Sequence, residues 1–424
     1  MLTRKMKDSG IEWIGEVPED WEISTIGAHY AEKTDKVSDL DYGPLSVTKS
    51  GIVPQLEIAA KSSNHDNRKL VLKDDFVINS RSDRKMSAGI SNMDGSVSVI
   101  NTVLYSNTID RNYTKYLLKN YAFAEEFYRW GTGIVDDLWS TKWLKMKNIP
   151  IPVPPIEKQK QIGEVIDNMF QNTNNIINET EQSIKELKKY KQSLITEIVT
   201  KGLDPTAEMK ASGVEWIGQV PEHWLITRPN RINTVVRGNS GFQKIDMKNT
   251  GDYVAVQYGQ VYKLNVLDEM YQLYVDGKFY KEEQVVQKGD TILISTSETI
   301  DDLGHSCFYN RKDFGLLGGE QLCLKPNKQV LFDKFLYYAT TYFNLELNQY
   351  ATGLKVYRFK LDDLKKINII VPPTIEEQQQ IVEYLDDKVC TIDKLIEDKT
   401  KVIEELENYK KSLIYEYVTG KKEV

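Results

Sequence analysis

Between Glu157 and Lys201 the apolar positions recur at Ile166, Phe170, Thr173, Ile177, Thr180, Ile184, Leu187, Lys191, Leu194 and Ile198, in alternating steps of four and three. This is the narrow seam of a coiled coil rather than the broader stripe of a surface helix. No proline interrupts the stretch, and only Gly163 weakens it. A shift of 219 residues recovers the pattern as Leu385, Val389, Ile392, Ile396, Lys399, Ile403, Leu406, Lys410, Leu413 and Tyr417. The ends match in letters as well, YKQSLITEIVTKG against YKKSLIYEYVTGK. The pattern predicts two helices of roughly 68 Å each, at 1.5 Å per residue. Like registers on two copies predict that they pair with each other, antiparallel. Ile166, Ile177, Ile184, Leu187 and Leu194 face Leu385, Ile396, Ile403, Leu406 and Leu413 as the pairing set.

The duplication extends beyond the helices. A box, MKDSGIEWIGEVPEDW at Met6–Trp21, returns as MKASGVEWIGQVPEHW at Met209–Trp224, with 12 of 16 positions identical. Its mixture of Gly, Pro and Trp predicts an ordered clasp with buried tryptophans. Between box and helix lie two diverged segments with shared landmarks. VLKDDFVINSRS (Val71–Ser82) parallels VQKGDTILISTS (Val286–Ser297), a turn leading into an alternating strand. YTKYLL (Tyr113–Leu118) parallels FDKFLY (Phe332–Tyr337) as a helix, and WGTGI (Trp130–Ile134) parallels YATGL (Tyr350–Leu354) as a glycine turn. Each segment ends in an apolar strand running into proline, IPIPVPP at Ile149–Pro155 and INIIVPP at Ile367–Pro373. Proline stops the strand and suits the helix entrance.

The expected division is therefore a box over 1–21, a domain over 22–150, a helical spacer over 151–205, a second box over 206–224, a second domain over 225–370 and a second spacer over 371–424. The expected fold class is α/β (α+β). Two pseudo-repeated mixed domains are joined by two long helices in an antiparallel coiled coil, in a circular pseudo-two-fold arrangement. No box follows the second helix, so the N-terminal box is expected to pack near that helix's end.

Composition narrows the function. Forty per cent hydrophobic residues and a length of 424 fit a soluble protein of more than one domain. No apolar run approaches the roughly 20 residues of a membrane span, and MLTRKMKDSG lacks a signal-peptide core. Three scattered cysteines point to a reducing cytoplasm. His305, Cys307 and Cys323 lack a fourth metal ligand, so no metal site is expected. A net charge of −7 argues against a nucleic-acid partner until its distribution is read. Residues 21–149 carry +1 and residues 225–368 carry +2, which leaves −10 to the helices and boxes. The two domains are free to present basic faces.

These motifs together resemble the specificity subunit of type I restriction–modification systems. SGIEWIGEVPEDW and SGVEWIGQVPEHW precede the two domains, and VPPIEKQKQI and VPPTIEEQQQI open the helices. A KGD-strand-Ser element, Lys288–Ser295, recurs in degenerate form at Lys73–Ser80. The resemblance covers essentially the whole chain. It implies two target-recognition domains, each reading one half of a split double-stranded DNA site. It also implies helices that dock two methylation subunits, and restriction subunits joining the complex. The chain itself would be non-catalytic and need no cofactor. S-adenosylmethionine, with ATP and Mg for restriction, would sit on the partner subunits, in a prokaryotic cytoplasm.

A search for chemistry in this chain agrees with that. The double prolines lack the flanks of a methyltransferase Asn/Asp-Pro-Pro-aromatic loop, and no GxxxxGK[ST] is present. DFGLLGG (Asp313–Gly319) reads most simply as a strand–turn. Lys73, Asp74 and Asp75 lack a third acid at a useful spacing for a metal-dependent nuclease. An enzyme with an unrecognised site, a methyltransferase or nuclease, is the alternative reading, and a coiled-coil adaptor is a third. DNA reading needs Arg/Lys, Asn/Gln and hydroxyls on base edges and phosphates. The candidates in the first domain are Thr48, Lys49 and Ser50; Arg81, Ser82, Arg84 and Lys85; and Trp139 with Lys142. In the second they are Gln257, Tyr258 and Gln260; Thr296 and Ser297; and Lys355, Tyr357, Arg358 and Lys360. Each cluster taken alone is most simply a solvated loop. Together they occupy equivalent places in the two copies, after the shared strand and after the glycine turn.

Overall fold

The structure is a computed structural model and describes residues 4–57, 65–133, 139–300, 302–353 and 355–424. The chain forms two compact units, Met1–Glu181 with Lys399–Val424, and Gln182–Asp398. The helices Ile156–Lys201 and Ile375–Val418 each give one half to each unit. Within each unit the two halves pack antiparallel. In the first, Lys410 Nζ donates to Asn174 Oδ1 at 2.8 Å, and Lys158 Nζ reaches Val424 O at 3.4 Å. In the second, Lys191 Nζ meets Asp393 Oδ1 at 2.5 Å.

All the seam positions named above are buried or half-buried. Burial is uneven along the seam. Ile166, Ile177, Leu194, Leu385 and Leu413 are 8% exposed or less, whereas Ile184, Leu187, Ile396, Ile403 and Leu406 are half-buried. Two helices alone cover a seam only in part. Ile166 and Leu413 join the core of the first unit and Leu385 that of the second, so a third layer completes their burial. Leu187, a member of the pairing set, is thus half-buried rather than buried.

Each box is a small antiparallel hairpin, Met6–Asp8 with Glu16–Pro18 and Met209–Ala211 with Gln219–Pro221. In the first unit Trp13, Ile14, Val17 and Trp21 share a core with Leu413, Tyr417 and Val418. Tyr415 Oη donates to Ile14 O at 3.1 Å. The N-terminal box therefore packs on the end of the second helix, as the circular order requires. In the second unit Ile217, Val220 and Trp224 pack with Ile195 and Val199. One tryptophan departs from the buried clasp: Trp13 is 7% exposed but its counterpart Trp216 is 37% exposed. Trp13 lies edge-on to Phe123, whereas Trp216 turns its Nε1 to Glu346 Oε1 at 3.2 Å.

The two domains are mixed α/β, as expected. In the first unit a four-stranded antiparallel sheet orders Ala88–Ile90, Phe76–Asn79, Asn101–Tyr105 and Ala31–Glu32. In the second a five-stranded sheet orders Asn233–Arg237, Gln321–Pro326, Thr291–Ile294, Ser306–Tyr309 and Val266–Leu267. The two proline-bound strands pair with the strand just after each box, Pro150–Val153 with Glu22–Thr25 and Ile369–Val371 with Leu225–Thr227.

The turn before the shared strand shows why Gly and Asp stand where they do. Asp74 and Gly289 occupy the same left-handed position, at φ 76° and 97°. Asp75 accepts from Leu72 N at 2.7 Å, and Asp290 from Gln287 N at 2.9 Å, closing the same turn. The glutamine of the helix-opening motif also has a defined task. Gln159 Oε1 accepts from Asp110 N at 2.7 Å while its Nε2 donates to Pro154 O at 2.8 Å. Gln378 does the same with Phe332 N at 2.7 Å and Pro372 O at 3.0 Å, and adds Val330 O at 3.1 Å. Each buried amide thus pins the start of a domain helix, Arg111–Leu117 or Asp333–Thr340, to the end of the proline strand. Further along, Lys115 meets Asp167 at 2.7 Å and Lys334 meets Asp386 at 2.6 Å. Tyr116 and Tyr338 donate to the same two carboxylates.

Candidate nucleic-acid interface

In both units the shared strand runs out into a short ladder formed with the chain that returns after the glycine turn. In the first unit Thr132 and Ser140 exchange backbone hydrogen bonds at 3.0 and 3.1 Å. Ser82 N donates to Trp139 O at 3.0 Å, and Thr141 N to Ser80 O at 2.9 Å. In the second, Thr352 and Arg358 exchange bonds at 2.9 Å each, and Phe359 N donates to Ser295 O at 3.2 Å. Arg81 lies opposite Ser140, Thr296 opposite Arg358, and Ser297 opposite Tyr357. Pairing therefore equates Arg81 with Thr296, Ser82 with Ser297, Trp139 with Tyr357 and Ser140 with Arg358. Lys142 and Lys360 each precede a short helix, Trp143–Met146 and Leu361–Lys365, and are exposed. Each ladder holds one arginine and one hydroxyl at its central pair, on opposite strands in the two units.

The surroundings differ. Arg81 Nε meets Asp83 Oδ1 at 3.0 Å, and Arg84 meets the same carboxylate at 3.6 Å. Lys85 pairs with Glu125 at 3.0 Å and lies over the Tyr128 ring. Trp139 is half-buried and donates Nε1 to Tyr128 O at 2.8 Å. At the Leu45–Thr48/Gly51–Pro54 hairpin, Thr48 Oγ1 donates to Gly51 O at 2.9 Å and accepts from Ser50 N at 3.1 Å. That hydroxyl closes the turn, and Lys49 and Ser50 are left exposed at the tip. The hairpin lies beside the others: a β-carbon on Gly89, four residues after Lys85, would sit 3.1 Å from Gly51 Cα.

In the second unit the sites converge on Glu320, which holds a left-handed φ of 64°. Thr296 Oγ1 donates to Glu320 Oε2 at 2.6 Å, and Arg358 Nε lies 3.9 Å from the same oxygen. Gly318 N donates to Val256 O at 2.8 Å, which places Gln257 beside this turn, and the charge of Glu320 reaches Tyr258. Gln260 lies on the short helix Tyr258–Val261. Tyr258 stacks on Tyr262 at 5.7 Å. Burial, then the charge of Glu298, raises its hydroxyl pKa, so it stays a donor. Lys355 is exposed and Tyr357 half-buried. Thr296 and Ser297 are 8% and 5% exposed, so they offer backbone position rather than free hydroxyls. Ile134 and Leu354 of the glycine turns lie outside the described residues.

Two positions escaped the sequence reading, Ser140 and Glu320. Ser140 stands eight residues after Thr132, but its equivalent Arg358 stands six after Thr352, so counting from the glycine turn misaligns them. Among the described residues no set of three or more His, Cys, Asp or Glu side chains is grouped to hold a metal ion. Among them, too, no helix is long and apolar enough to cross a membrane.

A duplicated recognition domain on paired helices, with one ladder per copy, defines a two-site modular class. The family described as Type I restriction modification DNA specificity domain matches residues 18–186 and 222–408, and the chain belongs to it. It is 25% identical over 441 residues to the putative type I restriction enzyme MjaX specificity subunit of Methanocaldococcus jannaschii, covering 96% of this chain and 95% of that one. It is 23% identical to the EcoKI specificity subunit of Escherichia coli over 48% of this chain and 44% of that one. The HsdS subunit of Thermoanaerobacter tengcongensis shares the fold at a TM-score of 0.53, with 16% identity and coverage of 96% and 98%. A chain from a study of type I R-M complex assembly and conformational transition shares it at 0.70, with 15% identity and coverage of 95% and 98%.

Proposed function

We propose that this chain reads a bipartite double-stranded DNA target, one half-site per recognition domain, within a type I restriction–modification complex. The single observation that carries this is the duplicated ladder: one backbone frame presenting different side chains in two units. A rigid frame with exchanged polar groups reads different bases from the same position. The long helices and boxes dock two methylation subunits, and restriction subunits join them. S-adenosylmethionine, with ATP and Mg for restriction, belongs to those partners. The chain itself performs no catalysis, and the complex works in a prokaryotic cytoplasm.

The acids weighed for a nuclease set have structural partners: Asp75 pairs with Lys33 and Asp74 with Arg111, each at 2.6 Å. Asp313 of the DFGLLGG turn pairs with Arg311 at 2.6 Å. The test uses labelled S-adenosylmethionine and a randomised DNA library. The complex with methylation subunits should methylate a split motif with a gap of free sequence, and the chain alone should transfer nothing. Transfer by the chain alone would support the enzyme reading. Methylation without sequence preference would leave only an adaptor.

A further inference from the structure

Each unit has a groove between its recognition domain and its halves of the helix pair, about 550 Å³ in the first and about 520 Å³ in the second. The 219-residue shift aligns them: Lys410, Lys411, Ile414 and Phe170 stand where Lys191, Gln192, Ile195 and Val389 stand. Asp167 and Asp386, related by the same shift, each hold a lysine, Lys115 and Lys334, but the two lysines stand one helical turn apart, five residues after Asp110 and two after Phe332. Beyond this shared frame the charges diverge. Lys49, Arg111, Lys115, Lys119, Lys410 and Lys411 line the first groove, with Glu407 as the one carboxylate among its described lining residues. In the second, Lys191 and Lys334 face Asp302, Asp386 and Asp393.

Part of the first groove's charge is neutralised and part is not. Arg111 is paired with Asp74, Lys115 with Asp167, and Lys410 with Glu407. Lys411 Nζ donates to the neutral Asn408 Oδ1 at 3.1 Å, and among the described residues it has no ion-pair partner. Among the described residues neither Lys49 nor Lys119 has an ion-pair partner. Lys119 is half-buried; burial first, and then the charge of Lys115, lowers its pKa. A bound anion would relieve that strain on its charged form. In the second unit the place of Lys119, three residues past the stapling tyrosine, belongs to Thr341. The first groove also borders the reading loops, since Lys49, Ser50 and Met86 form its rim.

We infer that the first unit's groove takes the phosphodiester backbone of duplex DNA beside the half-site that unit reads, and that the second unit's groove does not. This rests on the DNA-reading function proposed above. Backbone contacts release counterions and carry no sequence information, so the two ends of the complex hold DNA with different salt dependence.

The test exchanges the two lysines for the residues of the other copy, K119T with K411Q, in the full chain. A fluorescent duplex of arbitrary sequence is titrated by anisotropy at several salt concentrations. Each lost phosphate contact lowers the log–log salt slope by about 0.9, so the pair lowers it by about 1.8. Between 50 and 200 mM salt the wild-type chain should lose about 12-fold more affinity than the double variant. The half-site motif methylated by the assembled complex should not change. K411Q alone, at an exposed position, should give about half the slope change and guards against misfolding of the pair. An unchanged slope in both variants, with wild-type binding intact, overturns the inference, as does loss of methylation-subunit binding at unchanged slope. A wild-type complex without sequence-dependent DNA binding would instead overturn the DNA-reading function itself.

Discussion

Replacing Arg358 with alanine should weaken one half-site and leave the fold in place. The residue's position in the ladder is held by its backbone, through the two 2.9 Å bonds with Thr352, and these survive truncation. The side chain is 61% exposed, and its ion pair to a Glu320 side chain that is 46% exposed spans 3.9 Å. Exposed pairs of this kind contribute about 0–1 kcal/mol. At about 2–4 °C per kcal/mol for a unit of this size, the melting temperature should move by no more than a few degrees. An arginine fork on a base contributes about 1–3 kcal/mol of discrimination, a factor of about 5 to 150. Arg358→Lys keeps the charge but loses the fork, so it should recover overall affinity and not discrimination. The assay is methylation by the assembled complex over a randomised library, read separately for each half-site, beside a thermal melt of the chain. Equal weakening of both half-sites, or a drop of more than about 8 °C with specificity intact, would refute the reasoning.

Gln378→Leu orphans Phe332 N, Pro372 O and Val330 O in a buried site, so it should destabilise the second unit by about 3 kcal/mol or more. Gln159→Leu breaks two such bonds and should shift calorimetric unfolding of the first unit less. Leu385→Asp places a charge at a fully buried seam position and should destabilise by about 3–5 kcal/mol, well beyond half-buried Leu187→Asp; equal melting shifts would refute the burial pattern. A circular permutant that joins the termini and opens between Leu203 and Thr206, in an exposed loop, should stay soluble and bind DNA. Aggregation of that permutant would contradict the circular order.

Both long helices were legible in the sequence because a seam repeats over ten positions, and the duplication made each copy a check on the other. The first helix begins at Ile156, one residue before the stretch marked by periodicity, because Pro154 and Pro155 fix its entrance. Periodicity could not grade burial along the seam. Ile166 and Leu187 share a phase, yet only Ile166 meets a third layer. The candidate loops were found by equivalence between copies, and backbone pairing brings Arg81, Trp139, Thr296 and Arg358 into two matching ladders. Side-chain availability was not legible. Thr48 and Thr296 look like free hydroxyls in the letters, but one closes a hairpin and the other is bonded to Glu320. Ser140 was hidden by a difference in loop length. The basic groove of the first unit was hidden because its lysines come from a hairpin tip, a recognition-domain helix and the second long helix, far apart in sequence.

The most direct measurement of modular reading exchanges residues 225–370 for the corresponding domain of a relative with a different target. The methylation motif of the resulting complex is then determined over a randomised library. One half-site should change to that of the donor, while the other half-site stays as in the parent. A continuous motif, or loss of discrimination at both halves, would contradict the account.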